Sequence, residues 1–410
     1  MPTPLLNRRQ FTRLLLATAG AALGIPSCTS SADYSTDDRD ALARQMREEA
    51  AASGHGRFGV LRFRGYRGLA ELPYFDLDEN GLLRLRVDGL PPVIDFHAHL
   101  GMNFLFAPDI DLLRRTPRTQ YFLDCDRDTP GCDLDLDVYI NTAFTEAMHG
   151  DMLREARNQL LLGSTAAATH TIPNLVAEMD AVGVAQVALL PIALGLPFGD
   201  NLTDRWLDAI AQSGAAARVI PFASVHPRDG QWRERLRGYA RRGVRGLKVH
   251  PEMQRVAPDD PRMMDVYSEC ERLGLVVIFH GGRSGIEPEF MRPYAVMRRY
   301  AGAVAAFPRV QFVLGHAGAR DVAEAIRIAE QHPQVWLEIT GQGVTQLDGL
   351  IERVGANRLL FGSDWPFYHL AATLAKVFLV TEGRPDARTA ILHDNAERVL
   401  ATAHAMAQAS

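Results

Sequence analysis

The sequence predicts an α/β fold in which eight parallel strands close into a (β/α)8 TIM barrel. Short apolar runs, often β-branched, alternate along the chain with amphipathic stretches, for example at 232–242 and 319–331. This alternation is typical of strand–helix units with a parallel sheet, and eight such units favour closure of the sheet into a barrel. The chain has 410 residues and 47% hydrophobic composition, which suffices for one large barrel with insertions.

Eight segments are predicted to be the barrel strands. In chain order they are residues 93–99, 186–192, 218–225, 244–250, 275–280, 310–316, 335–340 and 358–364. The first helix is predicted over Ile172–Val182, where apolar residues recur at helical spacing. Residues 100–171 form a long insertion after strand one. Because loops at the catalytic face of a barrel are usually short, we predict a lid or a substrate wall there.

Four of these strands lead into side chains that bind metals. His97 and His99 end strand one, His280 ends strand five, His316 ends strand six, and Asp364 ends strand eight. Residues i and i+2 of a strand point to the same side, so both imidazoles of strand one can reach one metal. A single His-x-His is often just a pair of core histidines. Apolar strands rarely all stop on imidazole or carboxylate by chance, so the set predicts a metal site.

Strand four carries two more candidates, Lys248 and His250, which also face one side. A lysine inside an apolar strand is costly unless it is paired or modified. The alternative is an ion pair at the rim of the barrel.

Together these segments resemble the metal-dependent hydrolase (amidohydrolase) superfamily, and most of all its amidohydrolase family 2 branch. That branch includes hydrolases, lactonases and non-oxidative decarboxylases. The similarity covers roughly residues 91–400, and we assign residues 91–402 to the barrel. It is carried by His-x-His in strand one, Gly-Leu-Lys-Val-His-Pro at 246–251, His280, Gly-His-Ala-Gly at 315–318, Phe-Gly-Ser-Asp-Trp-Pro at 361–366 and Ile-Leu-His-Asp-Asn-Ala at 391–396. The resemblance implies a distorted (β/α)8 barrel that binds zinc or another divalent metal.

His97, His99, His280 and Asp364 offer three nitrogens and one oxygen, a ligand set that suits zinc and can leave a position open for water. The metal would lower the pKa of that water. We expect Asp364 to accept the proton from the water and pass it to the leaving group.

The number of metal ions depends on Lys248. In one pattern that the resemblance implies, Lys248 is carboxylated and bridges two metals, with His280 and His316 on the second. In the other there is a single metal that His280 helps to bind, and His316 serves as acid, base or orienting group. The family 2 resemblance favours one metal, in which case Lys248 or His250 would contact substrate or support the ligands.

Three further residues are candidates for substrate contacts or support. Arg283 follows two glycines and could bind a substrate carboxylate through both of its terminal nitrogens, or it could face solvent. Trp365 could be a pocket wall or rim packing. Glu338, inside apolar strand seven, is predicted to make a structural ion pair.

The predicted function is a metal-dependent hydrolase that cleaves an amide, ester or lactone bond of a small substrate, which could carry a carboxylate. The alternative is a metal-dependent non-oxidative decarboxylase or hydratase on the same barrel. A third, non-enzymatic hypothesis is an exported metal-binding lipoprotein. The ligand set argues against it, because purely structural zinc sites are usually closed and rich in cysteine.

The N-terminus is predicted to be an export signal. Arg8 and Arg9 precede an apolar stretch, as in a twin-arginine signal peptide over residues 1–27. Cys28 resembles the lipidated cysteine of a bacterial lipoprotein. We therefore expect a periplasmic protein with a possible membrane tether through Cys28; the alternative is a cytoplasmic protein with an apolar tail.

Two segments connect this signal to the barrel. Residues 28–53 are polar and charged and are predicted to be a tether, with a helix at 40–51. Residues 54–90 contain short alternating runs that predict a small β extension.

Composition and cysteines limit the partners. The net charge of −5 does not suggest nucleic acid binding, so the expected partner is a small-molecule substrate, and a homo-oligomer remains open. In an oxidising compartment Cys125 and Cys132 are predicted to form a disulfide across a turn. The alternative is an acidic turn with two reduced thiols.

Overall fold

The computed structural model describes residues 34–123, 132–142 and 144–408. The predicted export signal, Cys28 and Cys125 lie outside these residues. Cys132 is disulfide-bonded, whereas Cys270 is a buried free thiol. Within the three described ranges, no helix combines the length and the apolar character needed to cross a membrane.

The N-terminal extension begins with helix α1 (Thr36–Ala52), which starts at a capping box formed by Ser35 and Asp38. Two ion pairs join α1 to the barrel: Asp38 with Arg298 at 2.7 Å, and Glu49 with Arg320 at 2.8 Å. The segment that we predicted to be a tether with a helix at 40–51 thus contains a helix over residues 36–52, and these ion pairs hold it against the barrel. Charged side chains that look solvated in the sequence are paired with residues 260 and 271 positions away.

Short strands follow α1. They are β1 (Arg62–Phe63), β2 (Phe75–Leu77) and β3 (Leu83–Leu85). β2 and β3 form an antiparallel hairpin that contacts the first barrel helix. β1 pairs with β5 (Leu134–Asp135) of the insertion, so the extension and the insertion are joined by a two-stranded sheet.

Eight parallel strands form the barrel. They are β4 (Val93–Ala98), β6 (Val184–Leu189), β7 (Val219–Ala223), β8 (Gly246–Val249), β9 (Val276–Phe279), β10 (Phe312–Leu314), β11 (Val335–Glu338) and β12 (Leu359–Leu360). Each pairs with the next in this order. The barrel closes between its first and last strands, where Phe96 N–H donates to the carbonyl of Phe361 at 2.8 Å and Asp364 N–H donates to that of His97 at 2.7 Å. The predicted fold class is confirmed.

Further helices alternate with the barrel strands along the chain, and most of them cover the outside of the barrel. In chain order they are α2 (Glu146–Leu161), α3 (Ile172–Val182), α4 (Leu202–Gln212), α5 (Trp232–Arg241), α6 (Pro251–Gln254), α7 (Pro261–Leu273), α8 (Arg298–Ala306), α9 (Val322–Gln331), α10 (Val344–Val354), α11 (Leu370–Val380), α12 (Pro385–Thr389) and α13 (Asn395–Gln408). α3 has the predicted bounds and ends at Gly183, whose φ of 75° is the left-handed cap that glycine favours. Apolar side chains of the strands pack with Ala396 and Val399 of α13.

The insertion lies at the C-terminal ends of the strands. Its backbone N–H groups donate to carbonyls of the loops after β11 and β12: Phe122 to Pro366 at 3.2 Å, Leu123 to Phe367 at 3.0 Å, and Ile140 to Gly341 at 3.0 Å. The insertion therefore borders the face at which barrel enzymes carry their active sites.

Candidate metal centre

The ends of β4 and β12 bring three donor atoms together. The Nε2 atoms of His97 and His99 lie 3.2 Å apart. The Oδ1 atom of Asp364 lies 3.5 Å from Nε2 of His97 and 3.2 Å from Nε2 of His99. Asp364 reaches this position because its backbone turns out of the strand with a φ of 57°. The three donors form a nearly equilateral triangle.

Hydrogen bonds on the far side of each ring fix its orientation. Nδ1 of His99 lies 2.6 Å from the carbonyl oxygen of Leu190. A carbonyl only accepts, so this nitrogen carries the proton and the lone pair of Nε2 faces the triangle. Nδ1 of His97 lies 2.7 Å from Oε2 of Glu338 and donates to it in the same way. Each imidazole thus presents Nε2 as a ligand.

This donor set fits a divalent cation. Two imidazole lone pairs and a carboxylate oxygen converge. Both rings carry their proton on Nδ1, so no proton lies on the two Nε2 atoms to hydrogen-bond these donors to one another. Zinc binds nitrogen and oxygen ligands at about 2.0–2.2 Å in a tetrahedron, whose ligand-to-ligand edges are then about 3.3–3.6 Å. The observed edges of 3.2–3.5 Å agree with that geometry.

His316 and His280 extend the site. The ligand atoms of His316, His97 and Asp364 all lie within 4.8 Å of one another. Nε2 of His316 lies 3.0 Å from Nδ1 of His280. Burial lowers the pKa of His316 to about 4, so this imidazole is neutral near pH 7. The structure therefore brings all four predicted histidine and aspartate segments to one place.

Lys248 projects from β8 into the same site. Its Nζ lies 3.0 Å from Nε2 of His97, and the side chain is fully buried. Burial lowers the pKa of this amine to about 8. The amine therefore lies among the donors rather than in an ion pair at the barrel rim.

His250 stacks on His280, with ring centroids 4.1 Å apart and planes 6° from parallel. Its Nδ1 accepts a hydrogen bond from the N–H of Met253 at 3.4 Å, at the start of α6. Oε2 of the neighbouring Glu252 lies 3.6 Å from Nε2 of His280. His250 and Glu252 thus flank His280 on the side of the loop after β8.

Two buried carboxylates, Glu338 and Asp95, support the site in ways that the sequence did not predict. Glu338, for which we predicted a structural ion pair, orients His97 and also accepts from the N–H of His316 at 3.1 Å. Asp95 accepts from the N–H groups of His97 and Ser363 at 3.0 and 2.9 Å, which joins strand one to strand eight. Burial raises the pKa of both carboxyls to about 7.

Two residues that we considered as substrate contacts, Arg283 and Trp365, bind protein groups in this structure. The side chain of Arg283 is 5% exposed and forms an ion pair with Asp321 at 2.5 Å, and Nη1 donates to the carbonyl of Asp38 in α1. The indole of Trp365 is fully buried and donates to Glu178 at 3.0 Å. Arg283 therefore binds α1, and Trp365 binds α3. The N–H groups of both side chains donate to protein groups in this structure.

Fold and site together define a barrel protein with a candidate divalent-metal centre at the C-terminal ends of its strands. Residues 94–402 match the family model described as amidohydrolase, so the chain belongs to the amidohydrolase family, as predicted. No curated protein matches the sequence.

Solved structures share the fold at low identity. An uncharacterised TIM-barrel protein from Bordetella bronchiseptica is 21% identical, with a TM-score of 0.50 over 76% of this chain and 99% of its own. A 5-carboxyvanillate decarboxylase from Sphingomonas paucimobilis is 16% identical, with a TM-score of 0.50 over 75% of this chain and 98% of its own. These likenesses show the barrel fold.

Proposed function

We propose that the protein is a metal-dependent hydrolase that cleaves an amide, ester or lactone bond of a small molecule. The observation that supports this most is the triangle of donors formed by His97, His99 and Asp364, with ring tautomers set for metal binding. These residues would hold a divalent ion, which would lower the pKa of a bound water and polarise a carbonyl of the substrate.

Asp364 is the proposed proton carrier. Its side chain is 10% exposed, so it lies at the surface of the site and not behind it. A carboxylate at that position can take a proton from water and deliver it to the leaving nitrogen or oxygen. The neutral imidazole of His316, beside it, is suited to hydrogen-bond the substrate or the departing group.

We propose one metal ion per chain. Nζ of Lys248 lies 3.0 Å from Nε2 of His97, beside the donor triangle, where an unmodified amine can contact substrate without a second ion. The alternative is a carboxylated Lys248 that bridges two ions, with His280 and His316 on the second. The lowered pKa of the amine is compatible with that modification too, so the metal count needs a direct measurement.

The alternative function is non-oxidative decarboxylation or hydration on the same ligands. A decarboxylase would hold the substrate carboxylate on the metal and requires no attack by hydroxide. Arg283, which we predicted could bind a substrate carboxylate in either reaction, is paired with Asp321 and so favours neither function.

To test this, the protein is treated with a chelator, reconstituted with Zn²⁺ or Mn²⁺, and assayed on lactones, amides, esters and aromatic carboxylates. Hydrolysis that appears only with metal, and is lost in Asp364→Asn, supports the proposal. Release of carbon dioxide from an aromatic carboxylate without hydrolysis of the other classes would establish the alternative. Glu330→Gln, in an exposed ion pair with Arg353, is the matched control and should behave as wild type.

A further inference from the structure

We propose that Gln342 is a positioning residue for His316: its side-chain amide fixes the strained turn that carries the imidazole. The chemical role of His316 rests on the proposed function. The position that Gln342 gives to the His316 ring can be tested independently of that function.

The turn from His316 to Ala319 has an unusual backbone. The φ angles are 55° at His316, 46° at Ala317, 83° at Gly318 and 51° at Ala319. Three of these four residues carry a Cβ, and such residues seldom adopt positive φ. A backbone of this kind persists only where its surroundings hold it in place.

Gln342 holds both ends of the turn. Its Nε2 donates to the carbonyl of His316 at 2.6 Å and to the carbonyl of Ala319 at 2.9 Å. From the other side, the N–H of His316 donates to Glu338 at 3.1 Å. Both polar backbone groups of His316 are thus bound by side chains of strand seven and the loop after it.

Gln342 is itself held by a tightly packed loop. Its side chain is buried between two glycines, Gly341 and Gly343. A Cβ at Gly341 would lie 2.8 Å from the ring of Tyr139, and a Cβ at Gly343 would lie 2.6 Å from the carbonyl oxygen of Asp137. The loop therefore fits between barrel and insertion only because these two positions lack side chains.

Lys376 of α11 completes this support. Its Nζ is buried and donates to the carbonyl of Gln342 at 2.5 Å and to the side chain of Asn141 in the insertion. Contacts thus run from the insertion and α11, through Gln342, to His316. Loss of the amide donors of Gln342 should free the turn and move the imidazole away from His97 and Asp364.

Gln342→Met tests this, because it keeps the side-chain length and removes both donors. A misplacement of about 1 Å can cost roughly 100-fold in rate. We expect kcat of the metal-loaded enzyme to fall by about that factor, while KM changes by less than about threefold. Gln346→Met, in the following helix, removes a glutamine that takes no part in these hydrogen bonds, and it should leave kcat unchanged.

A purely structural role gives a different result. If Gln342→Met melts at a lower temperature but its folded, metal-loaded form turns over like wild type, the positioning role is refuted. A crystal structure of the variant supplies a readout that needs no substrate: we expect the His316 ring to move by more than about 0.5 Å. If wild-type protein hydrolyses nothing, the proposed function fails, and the position of this ring alone decides the present inference. If Gln342→Met does not fold, Gln342→Asn replaces it, because its amide is one methylene too short to reach both carbonyls. An unmoved ring in the variant overturns the proposal.

Discussion

Oε2 of Glu338 lies 2.7 Å from Nδ1 of His97, on the opposite side of the imidazole from the donor triangle. The carboxylate fixes the tautomer in which Nε2 faces Asp364. It does so from strand seven, 241 positions away in sequence.

Glu338→Gln should weaken metal binding by about 10- to 100-fold, because partners behind a histidine ligand typically contribute that much. Competition with a chromogenic chelator measures the affinity directly. Glu330→Gln removes an exposed carboxylate that contacts no ligand and serves as the control. Equal affinity in Glu338→Gln and wild type would show that Glu338 does not orient a metal ligand.

Arg283→Met should reduce stability and leave substrate binding intact. The change strands the carboxylate of Asp321, which is nearly buried, and breaking such a pair costs roughly 3 kcal/mol. Urea unfolding gives the loss of stability, and steady-state kinetics give KM. The double variant Arg283→Met/Asp321→Asn should recover part of the stability. A large rise in KM at unchanged stability would restore Arg283 as a substrate contact.

His226 should make the protein less stable in acid. It is 2% exposed, and burial lowers its pKa from 6.5 to about 4. Between these values the unfolded state binds the proton more readily than the folded state, so the free energy of unfolding falls as the pH drops from 6.5 to 4. Below pH 4 the full contribution lost is on the order of 3 kcal/mol.

Denaturant unfolding at a series of pH values checks this sign. His226→Asn keeps an acceptor for the N–H of Arg228, and its stability should depend less on pH over this window. His55→Asn, at an exposed position, should keep the slope of wild type. An unchanged slope in His226→Asn would mean that other buried groups govern the acid response.

Lys248 should decide the metal count. If one ion is bound, elemental analysis gives one equivalent per chain, and added bicarbonate does not improve reconstitution of the apoprotein. Lys248→Met should then retain the ion, with activity reduced because the amine beside His97 is gone. Two equivalents in wild type, with bicarbonate-dependent reconstitution, would establish the bridged arrangement.

The barrel and its donors were predictable because both follow local rules. Apolar runs that stop on His97, His280 or Asp364 identify strand ends, and the ends of parallel strands meet at one face. What the sequence could not show were partners set by tertiary packing. Asp321, 38 positions away in sequence, forms an ion pair with Arg283, and no local sequence pattern predicts this pair.

The direction of a side chain could not be predicted from the sequence beyond the end of a regular strand. Trp365 follows a candidate metal ligand at the end of a strand, and from the sequence it could be either a pocket wall or rim packing. The positive φ of Asp364 redirects the chain there, and the indole turns to Glu178. For Glu338 the sequence did not reveal its contact with His97. A single carboxylate in an apolar strand is expected to be structural unless the neighbouring strand that it contacts is known.

Anomalous diffraction from crystals of the Zn²⁺-loaded protein, recorded at the zinc edge, shows directly whether the three donors bind a metal ion. We expect one peak per chain at about 2.0–2.2 Å from Nε2 of His97, Nε2 of His99 and Oδ1 of Asp364. The peak should disappear in crystals of Asp364→Asn grown under the same conditions. A zinc peak distant from these three atoms would contradict the proposed metal centre, as would the absence of a peak in a protein that hydrolyses its substrate without metal.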